Sequence, residues 1–401
     1  MAAPRVLILD DEPFQLKLLS RQLANLGLGR VDTFTSGQAA LALLEQQASD
    51  VQMIFLDLNM PGMDGVEFIR RLVDIHYTSA LVLVSGEDER ILDTSVRLAR
   101  AHHLNVLGHV NKPVQPETIR ALLKRWRNMA PKTAGEARKR YSAAQVRHAV
   151  ASGELVNYYQ PKVEVMSGAL KGVETLVRWR HPDDGLVFPD QFIGVAEEHG
   201  IIDDLTRIVL TEALAQARRW REAGLVLRIA VNVSMDNLAR LDFTDFVLGQ
   251  IVRAGGAPDE LILEVTESRL MTDALASLDT LTRLRLKKIS LSIDDLGTGN
   301  SSLAQLRDIP FDEIKIDRSF VHGACRDNTR NAIFTASLAM ARQLGIVTVA
   351  EGVEDQADWD FLRQQGCDLA QGYFIARAMP AEDLPAWLAD WETRRPLLAP
   401  A

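Results

Sequence analysis

The sequence predicts two α/β domains, a doubly wound five-stranded parallel sheet followed by a TIM-type (β/α)8 barrel. Short apolar runs alternate with amphipathic stretches, their spacing lengthens after about residue 149, and a basic stretch separates the two parts. A chain of 401 residues is long enough for two or three domains. We place the first domain at 1–125, a connector at 126–148, the second domain at 149–395 and a tail at 396–401.

The first domain is predicted from five strands that alternate with five helices. RVLILDD predicts the first strand, and PFQLKLLSRQLANLG predicts a helix with Pro13 in its first turn and Gly27 at its end. The later strands are RVDTFTS, VQMIFLDLNMPG, ALVLVSG and VLGHVNKPV. Such an alternation predicts a parallel sheet with helices on both faces and a site at the carboxyl ends of its strands. The polar residues at those ends are Asp10, Asp11, Asp57, Ser85 and Lys112.

The connector is predicted from charge and from helix-breaking residues. Residues 120–148 contain nine Lys or Arg against one Glu, with Pro131 and Gly135 interrupting helical stretches. A nucleic-acid-binding arm and a solvated connector both fit this composition. The net charge of −9 favours the connector, because an acidic chain does not attract nucleic acid.

The second domain is predicted from eight strands in about 250 residues, the strand number of a TIM-type barrel. The strands are LVNYYQPKV, ALKGVETLVRW, LRIAVNVS, ELILEVTES, KISLSIDDLG, FDEIKID, IVTVAEGV and LAQGYFI. DDLTRIVLTEALAQARRWREAG and ASLDTLTRLRL predict two of the intervening helices. Only a short turn, EVMSGALKG, joins the first two strands, so we expect an irregular first strand.

Acidic side chains end nearly every strand of the predicted barrel. These polar strand ends are Glu174, Asn232, Glu264, Glu267, Asp294, Asp295, Lys315, Asp317, Glu351 and Gln371. A barrel brings all such ends to one rim, where the anions would repel one another unless cations bind among them. The set suits two hard metal ions, Mg²⁺ or Mn²⁺, sharing a carboxylate, an arrangement that promotes phosphoester hydrolysis. Any one of these acids, taken alone, is better explained as a loop residue, and the prediction rests on their recurrence at successive strand ends.

Seven ordered motifs of the second domain resemble the EAL family of cyclic di-GMP phosphodiesterases. They are ETLVRWRHP, AVNVS, EVTES, DDLGTGNSSL, EIKIDRSFV, VAEGVED and CDLAQGYFIARAMP. The resemblance implies a hydrolase that opens one phosphodiester bond of cyclic di-GMP to give linear pGpG.

The resemblance also implies roles for individual residues. The first metal would be held by Glu174, Asn232, Glu264 and Asp294, and the second by Asp294, Asp295 and Glu351. Lys315 would orient or polarise the attacking water, and Glu351 would double as its base. The residues expected to contact the dinucleotide are Gln160, Arg178, Asp317 and Gln371. Glu267 and Glu354 are expected to anchor the neighbouring loop or support the ligands from behind.

Three positions depart from the family pattern. Thr175 replaces the family's Ala, but it should point away from the ligand Glu174 along the strand. The loop DDLGTGNSS carries Leu296 and Asn300 where family members usually have Phe and Tyr. This altered loop is the argument for the alternative function, a catalytically weak or inactive EAL domain that binds the dinucleotide or a protein partner.

The first domain resembles the receiver domain of two-component response regulators through Asp10-Asp11, Asp57, Ser85 and Lys112-Pro113. The three aspartates would hold one Mg²⁺ or Mn²⁺, and Asp57 would be the nucleophile that becomes an aspartyl phosphate. Ser85 and Lys112 would then contact the phosphoryl group. His109 stands where the family's switch aromatic lies, and an ordinary surface histidine is an equally good interpretation.

Taken together, the two resemblances imply a response regulator that a sensor histidine kinase phosphorylates and that forms a homo-oligomer. A DNA-binding output domain is not expected, since a long barrel with an acidic rim occupies the second half. No apolar run is long enough to span a bilayer, and the N-terminus does not resemble a signal peptide. Two cysteines outside any CxxC motif do not form a disulfide framework. We therefore expect a cytoplasmic enzyme without membrane insertion.

Overall fold

The computed structural model describes residues 4–47, 50–75, 77–86, 89–102, 104–129, 141–266, 274–296 and 309–398. The chain divides into two compact units, an N-terminal unit, Met1–Ala137, and a barrel unit, Arg138–Ala401. Among the described helices, none combines the length and the apolar content that a membrane span requires.

The N-terminal unit is a parallel five-stranded sheet with helices on both faces. Its strands are β1 (Arg5–Leu9), β2 (Arg30–Phe34), β3 (Val51–Asp57), β4 (Ala80–Ser85) and β5 (Asn105–Asn111). Its helices are α1 (Pro13–Asn25), α2 (Gly37–Gln47), α3 (Gly65–Asp74), α4 (Glu89–Ala101) and α5 (Pro116–Met129). The strand order is β2-β1-β3-β4-β5, and every pairing is parallel. The predicted doubly wound sheet is confirmed.

Alternation along the strands builds two cores in the N-terminal unit. Leu7 and Ile54 face one side, where they pack with α2, α3 and α4, whereas Ile8 and Phe55 face the other side, against α1 and α5. Successive strand residues point to opposite faces, so strands that are apolar throughout are buried on both sides.

The barrel unit contains nine described strands and ten described helices. The strands are β6 (Leu155–Glu164), β7 (Leu170–His181), β8 (Gly185–Val187), β9 (Arg228–Val233), β10 (Leu261–Thr266), β11 (Ser290–Leu296), β12 (Glu313–Ile316), β13 (Val347–Ala350) and β14 (Leu369–Ala370). The helices are α6 (Ala143–Ser152), α7 (Ile193–Glu198), α8 (Ile202–Glu222), α9 (Met235–Leu238), α10 (Phe243–Ala254), α11 (Ala274–Leu286), α12 (Arg318–Val321), α13 (Asn328–Leu344), α14 (Gln356–Gln365) and α15 (Leu384–Arg394).

Eight of these strands close into a barrel. Strands β7 and β9 to β14 run parallel to one another in that order, and β6 closes the ring by pairing antiparallel with both β14 and β7. The predicted barrel with an irregular first strand is confirmed. The short strand β8 was not predicted; it lies outside the ring and pairs with the end of β7.

The structure differs from the predicted connector and tail at their edges. Helix α5 continues to Met129, four residues beyond the boundary placed at 125. At the other end, Tyr141 and Val146 lie in the core of the barrel unit, and Ser142 caps α6 through its side chain. At the C-terminus, Leu398 packs against the barrel core, and its carbonyl accepts a hydrogen bond from Arg363. Burial of apolar side chains therefore extends the barrel unit on both sides of 149–395.

Candidate functional site

Strand register brings the predicted acids of the barrel into one lumen. Glu264 on β10 lies opposite Asn232 on β9, and the next strand, β11, carries Asp294 two residues beyond the position opposite Glu264. The pairing of β11 with β12 shifts between Ile293 and Leu296, a bulge at the two aspartates. Bulges redirect side chains, and the carboxylate of Asp294 contacts a lysine inside the lumen.

That lysine, Lys315 on β12, is the centre of the site. Its Nζ lies 2.7 Å from Glu351 Oε1 and 3.1 Å from Glu264 Oε2. It also lies 3.2 Å from Asp294 Oδ1 and 3.4 Å from Glu174 Oε2. Its side chain is 1% exposed, so these four carboxylates replace the water that an ammonium group needs.

Side-chain amides orient Glu174, the first predicted ligand. Asn232 Nδ2 donates to Glu174 Oε1 at 3.0 Å, and Gln371 Nε2 donates to Glu174 Oε2 at 2.5 Å. Gln371 Nε2 also lies 2.9 Å from Gln160 Oε1, whose own amide donates to the carbonyl of Ala376. Two amides therefore fix the Glu174 carboxylate, and Gln160 in turn holds Gln371.

Burial and mutual repulsion shift the pKa values of the clustered acids in different directions. Burial, aided by the neighbouring charge of Glu264, raises the pKa of Glu174 to about 7. Burial likewise raises the pKa of Glu351 to about 8, against the opposing effect of Lys315. Burial also opposes ionisation of Glu264, but Lys315 and Lys162 outweigh it and hold its pKa at about 2. Glu174 and Glu351 therefore bind a proton more tightly than an ordinary glutamate, whereas Glu264, which lies between two lysines, binds it more weakly.

This donor set fits divalent cations. Carboxylate oxygens of Glu174, Glu264 and Asp294 lie within 3.4 Å of Lys315 Nζ, with the Asn232 amide beside Glu174, and hard cations prefer carboxylate and amide oxygens. Four carboxylates face one lysine here, an excess of negative charge that bound cations would relieve.

A hollow of about 200 Å³ opens above the acids. The predicted site residues that line it are Gln160, Glu174, Asp317, Glu351, Glu354 and Gln371. Two glycines shape its wall. At Gly352, with a φ of +67°, a Cβ would lie 2.1 Å from Arg318 Cβ, and at Gly372 a Cβ would lie 2.3 Å from the backbone of Val353. Only glycine lets these loops pass so close to their neighbours.

Arg178, a predicted substrate contact, is held by aromatic rings beside this rim. Its guanidinium carbon lies 4.9 Å from the ring centre of Phe188 and 5.7 Å from that of Tyr158. Nη1 donates to the carbonyl of Val177 at 2.9 Å. Burial lowers the pKa of Arg178 from its usual value, although a guanidinium remains charged at neutral pH. The rings restrict the side chain while its other donors stay available.

The two remaining predicted residues of this rim have local partners. Asp317 accepts a hydrogen bond from the backbone N–H of Ser319 at 2.9 Å and caps α12. Glu354 pairs with Arg318 at 2.9 Å, and its backbone N–H donates to Asp358. Both contacts order the loops on either side of the hollow.

Some predicted positions lie outside the described part of the chain. Glu267 and Asn300 belong to undescribed residues, and for Asp295 and Leu296 only the strand backbone is described. Thr175 has a buried side chain and lines a cavity beside α7 and α8, on the other side of the strand from Glu174.

Sequence reasoning missed two charged residues of the lumen, Lys162 and Glu313. Lys162 Nζ lies 3.1 Å from Glu264 Oε1 and 2.9 Å from Glu313 Oε1, and the side chains of Lys162 and Glu313 are each 2% exposed. Strand periodicity could have revealed them, because Lys162 is two residues from Gln160 and Glu313 is two residues from Lys315.

The N-terminal unit has an acidic site of its own at the carboxyl end of its sheet. Asp10, Asp11 and Asp57 bring carboxylate oxygens within 4.8 Å of one another, as a cation site requires. Lys112 Nζ lies 2.8 Å from Asp10 Oδ2 and 2.7 Å from Asp57 Oδ2. Burial raises the pKa of Asp57, with Lys112 acting in the opposite direction. Ser85 ends the neighbouring strand β4 and is fully buried. His109 lies on β5 opposite Leu83.

Comparisons with known proteins match both domains. The EAL domain family model matches residues 143–378, and the response regulator receiver domain model matches residues 6–124. The cyclic di-GMP phosphodiesterase RocR of Pseudomonas aeruginosa is 34% identical over 380 residues, covering 94% of this chain and 96% of RocR. The bifunctional diguanylate cyclase/cyclic di-GMP phosphodiesterase MucR of the same organism is 44% identical over 245 residues, which are 61% of this chain and 36% of MucR.

Solved structures are similar to the barrel unit. The PaMucR phosphodiesterase in its c-di-GMP complex is 43% identical, with a TM-score of 0.57, and the match covers 60% of this chain and 98% of that one. The EAL enzyme Bd1971 in its cAMP- and cyclic-di-GMP-bound form is 26% identical, with a TM-score of 0.58 over 67% of this chain and 74% of that one.

The fold and the two acidic sites define a response regulator in which a receiver domain precedes a barrel with an acidic lumen. The chain belongs to the EAL domain family.

Proposed function

We propose that this protein is a metal-dependent phosphodiesterase that hydrolyses one bond of cyclic di-GMP to give linear pGpG, and that phosphorylation of its receiver domain regulates the reaction. The observation that carries the proposal is the convergence of four carboxylates on Lys315 in the barrel lumen. Similarity to RocR over nearly the whole chain supports the substrate, because that relative is named a cyclic di-GMP phosphodiesterase.

Two cations would share the acidic cluster. Glu174, Asn232, Glu264 and Asp294 would hold one Mg²⁺ or Mn²⁺, and Asp294, Asp295 and Glu351 would hold the other. When bound, such a pair supplies hydroxide near neutral pH and stabilises negative charge on the attacked phosphoryl group.

Lys315 and Glu351 would handle the attacking water. Lys315 Nζ and Glu351 Oε1 are 2.7 Å apart, so a water molecule beside them would receive a hydrogen bond from the lysine and give its proton to the glutamate. With cations bound beside it, the Glu351 carboxylate would be ionised and able to accept that proton.

The rim would bind and orient the dinucleotide. Arg178 suits a bidentate grip on a phosphate oxygen pair, because its guanidinium is already restricted by Phe188 and Tyr158. Gln160, Gln371 and Asp317 line the hollow above the acids and would contact the substrate there. Glu354 would keep the adjoining loop in place through Arg318.

The receiver domain would control the rate. Asp57 would accept a phosphoryl group from a sensor histidine kinase with one divalent cation bound by Asp10, Asp11 and Asp57, a role that the carboxylate cluster supports. Lys112, now paired with Asp57, would pair with the phosphoryl group. Self-association and a cytoplasmic location are part of this proposal on the strength of the family resemblance alone.

Product analysis of the purified full-length protein tests the proposal. We expect cyclic di-GMP to be converted to pGpG with Mg²⁺ or Mn²⁺ and to remain intact with a chelator. Binding of cyclic di-GMP without any conversion in either metal would instead identify the alternative, a binding module. Glu174→Ala is the matched control, because it removes one expected ligand from the same preparation.

A further inference from the structure

A second layer of buried polar side chains crosses the barrel lumen at the level of Glu264. Glu264, Ser292 and Glu313 occupy register-matched positions on the neighbouring strands β10, β11 and β12. Lys162 on β6 reaches both glutamates, with its Nζ 3.1 Å from Glu264 Oε1 and 2.9 Å from Glu313 Oε1. All four side chains are buried.

This layer fixes Glu264 from both sides. Lys162 contacts Oε1 of its carboxylate, and Lys315 contacts Oε2 at 3.1 Å. A carboxylate held at each oxygen by a different buried ammonium group has one available orientation. The contacts come from β6 and β12, two strands that are not neighbours of β10 in the barrel, so Glu264 is oriented across the lumen.

Fold stability gives little reason for such a layer. Placing charges in a barrel interior costs desolvation energy, and apolar residues of similar size usually fill such positions at equal or lower cost. Lys162 and Glu313 cancel each other's charge, so the pair orients Glu264 without changing the negative charge that the site offers to cations. These properties are those of a residue that supports a metal ligand from behind.

We propose that Lys162 is a positioning residue that holds Glu264 in its orientation for divalent-cation binding, with Glu313 as the counter-charge that makes its burial tolerable. The inference rests on the proposed metal-dependent function. It adds a lysine that acts through Glu264 and touches neither the substrate nor the reacting atoms.

The test uses the full-length protein and three variants. Lys162→Met alone leaves two buried carboxylates without their shared partner and is expected to lose stability. The double variant Lys162→Met, Glu313→Met removes the charge pair as a unit, so it carries the test. Ser292→Ala changes the same buried layer without touching Lys162 and is the matched control.

Mn²⁺ affinity measured by titration calorimetry without substrate is the decisive measurement. We expect the double variant to bind Mn²⁺ at least about tenfold more weakly while circular dichroism and thermal unfolding stay near wild type. Its kcat for cyclic di-GMP at a fixed Mn²⁺ concentration should fall by about tenfold or more, with KM changed less than about threefold. Ser292→Ala should match the wild type in all of these.

Two results would overturn the inference. A folded double variant with wild-type Mn²⁺ affinity and kcat would show that Lys162 only fills space. A Ser292→Ala variant that weakens Mn²⁺ as much as the double variant would show that any change in the layer has this effect. A wild-type protein that binds Mn²⁺ without hydrolysing cyclic di-GMP would contradict the proposed function while leaving the Mn²⁺ comparison, and hence the role of Lys162, decidable.

Discussion

The receiver and the barrel both gather carboxylates at the ends of parallel strands, but they balance the charge differently. In the receiver, Lys112 serves two aspartates with 17% of its side chain exposed. In the barrel, Lys162 and Lys315 are at most 2% exposed and face five described carboxylates, Glu174, Glu264, Asp294, Glu313 and Glu351.

The difference lies in how deeply the lysines are buried. Lys112 is 17% exposed, so solvent screens its charge, although its partners Asp10 and Asp57 are only 6% and 3% exposed. In the barrel lumen every anion needs a protein cation, a proton or a bound metal ion, and the five described carboxylates outnumber the two lysines. A site with a partly exposed lysine suits a phosphoryl group that arrives and leaves, whereas fully buried lysines suit a site with resident cations.

The largest effect is expected from the barrel ligands. Glu174→Ala removes a carboxylate that is oriented by Asn232 and Gln371. Turnover of cyclic di-GMP should fall about a thousandfold or more, equivalent to about 4 kcal/mol of transition-state stabilisation. Steady-state kinetics with saturating Mn²⁺ measure this, and an unchanged circular dichroism spectrum controls for folding. Turnover within about tenfold of wild type would contradict the site assignment.

Replacing the central lysine of each site shows how much the stability of each unit depends on it. Lys315→Met leaves buried carboxylates uncompensated and should lower the free energy of unfolding of the barrel by about 3–5 kcal/mol in chelator. Lys112→Met should cost the receiver less, because Lys112 is itself 17% exposed and contacts two carboxylates rather than four. Hydrogen exchange measured by mass spectrometry follows the two units separately in one chain. Equal losses of unfolding free energy in both units would show that burial of the lysine does not control its contribution to stability.

Phosphorylation of the receiver tests whether its site controls the reaction in the barrel. Asp57→Asn removes the nucleophile, so labelling by acetyl phosphate should be abolished, and the phosphodiesterase rate in the presence of acetyl phosphate should differ severalfold from that of the labelled wild type. Glu67→Gln, in the first turn of α3 outside the acidic cluster, is a control that should label normally. Loss of labelling with an unchanged rate would show that the two domains are uncoupled.

Strand alternation and strand ends were sufficient to predict both folds and most of the site. Glu174, Asn232, Glu264, Asp294, Lys315, Glu351 and Gln371 do converge. Their convergence was predictable because the carboxyl ends of the parallel barrel strands share one rim, so polar residues towards those ends were expected to meet there.

The residues that sequence reasoning missed lie one step deeper in the lumen. Lys162 follows Pro161 in a strand that runs antiparallel to its neighbours, so a rule based on carboxyl ends does not apply to it. A buried lysine is also uncommon enough that QPKV suggests an exposed side chain. Similarly, the basic composition of 126–148 hid the apolar contacts of Tyr141 and Val146, which are made with residues distant in sequence.

The pH dependence of receiver stability should depend on the ionisation of Asp57. Burial raises its pKa above the ordinary 3.8, so the folded receiver keeps this proton while the unfolded chain releases it as the pH rises. The stability contribution is therefore fully present below the ordinary pKa and is lost as the pH rises through the folded pKa. An asparagine side chain cannot ionise, so the Asp57→Asn receiver should unfold a few degrees above wild type at pH 7, and the gap should narrow towards pH 4.

That comparison is made in chelator by hydrogen exchange of the receiver peptides at several temperatures. The barrel peptides of the same samples serve as the internal control, because the substitution leaves their residues unchanged. An equal gap between the two proteins at pH 4 and pH 7 would show that ionisation of Asp57 does not affect receiver stability.

The smallest effect is expected from the loop that follows the paired aspartates. Leu296→Phe with Asn300→Tyr restores the two aromatic residues usual in the family, and it adds no ligand. We expect at most a two- to fivefold rise in Mn²⁺ affinity or in kcat, since apolar contacts would order the loop beside Asp294 and Asp295 without changing the charge of the site. Calorimetry and steady-state kinetics on the two single variants and the double variant measure the change and its additivity. Identical values in all four proteins would show that the rest of the loop compensates for the two missing aromatic residues. Mn²⁺ affinity and kcat would then depend on the buried charges of the barrel and not on these two positions.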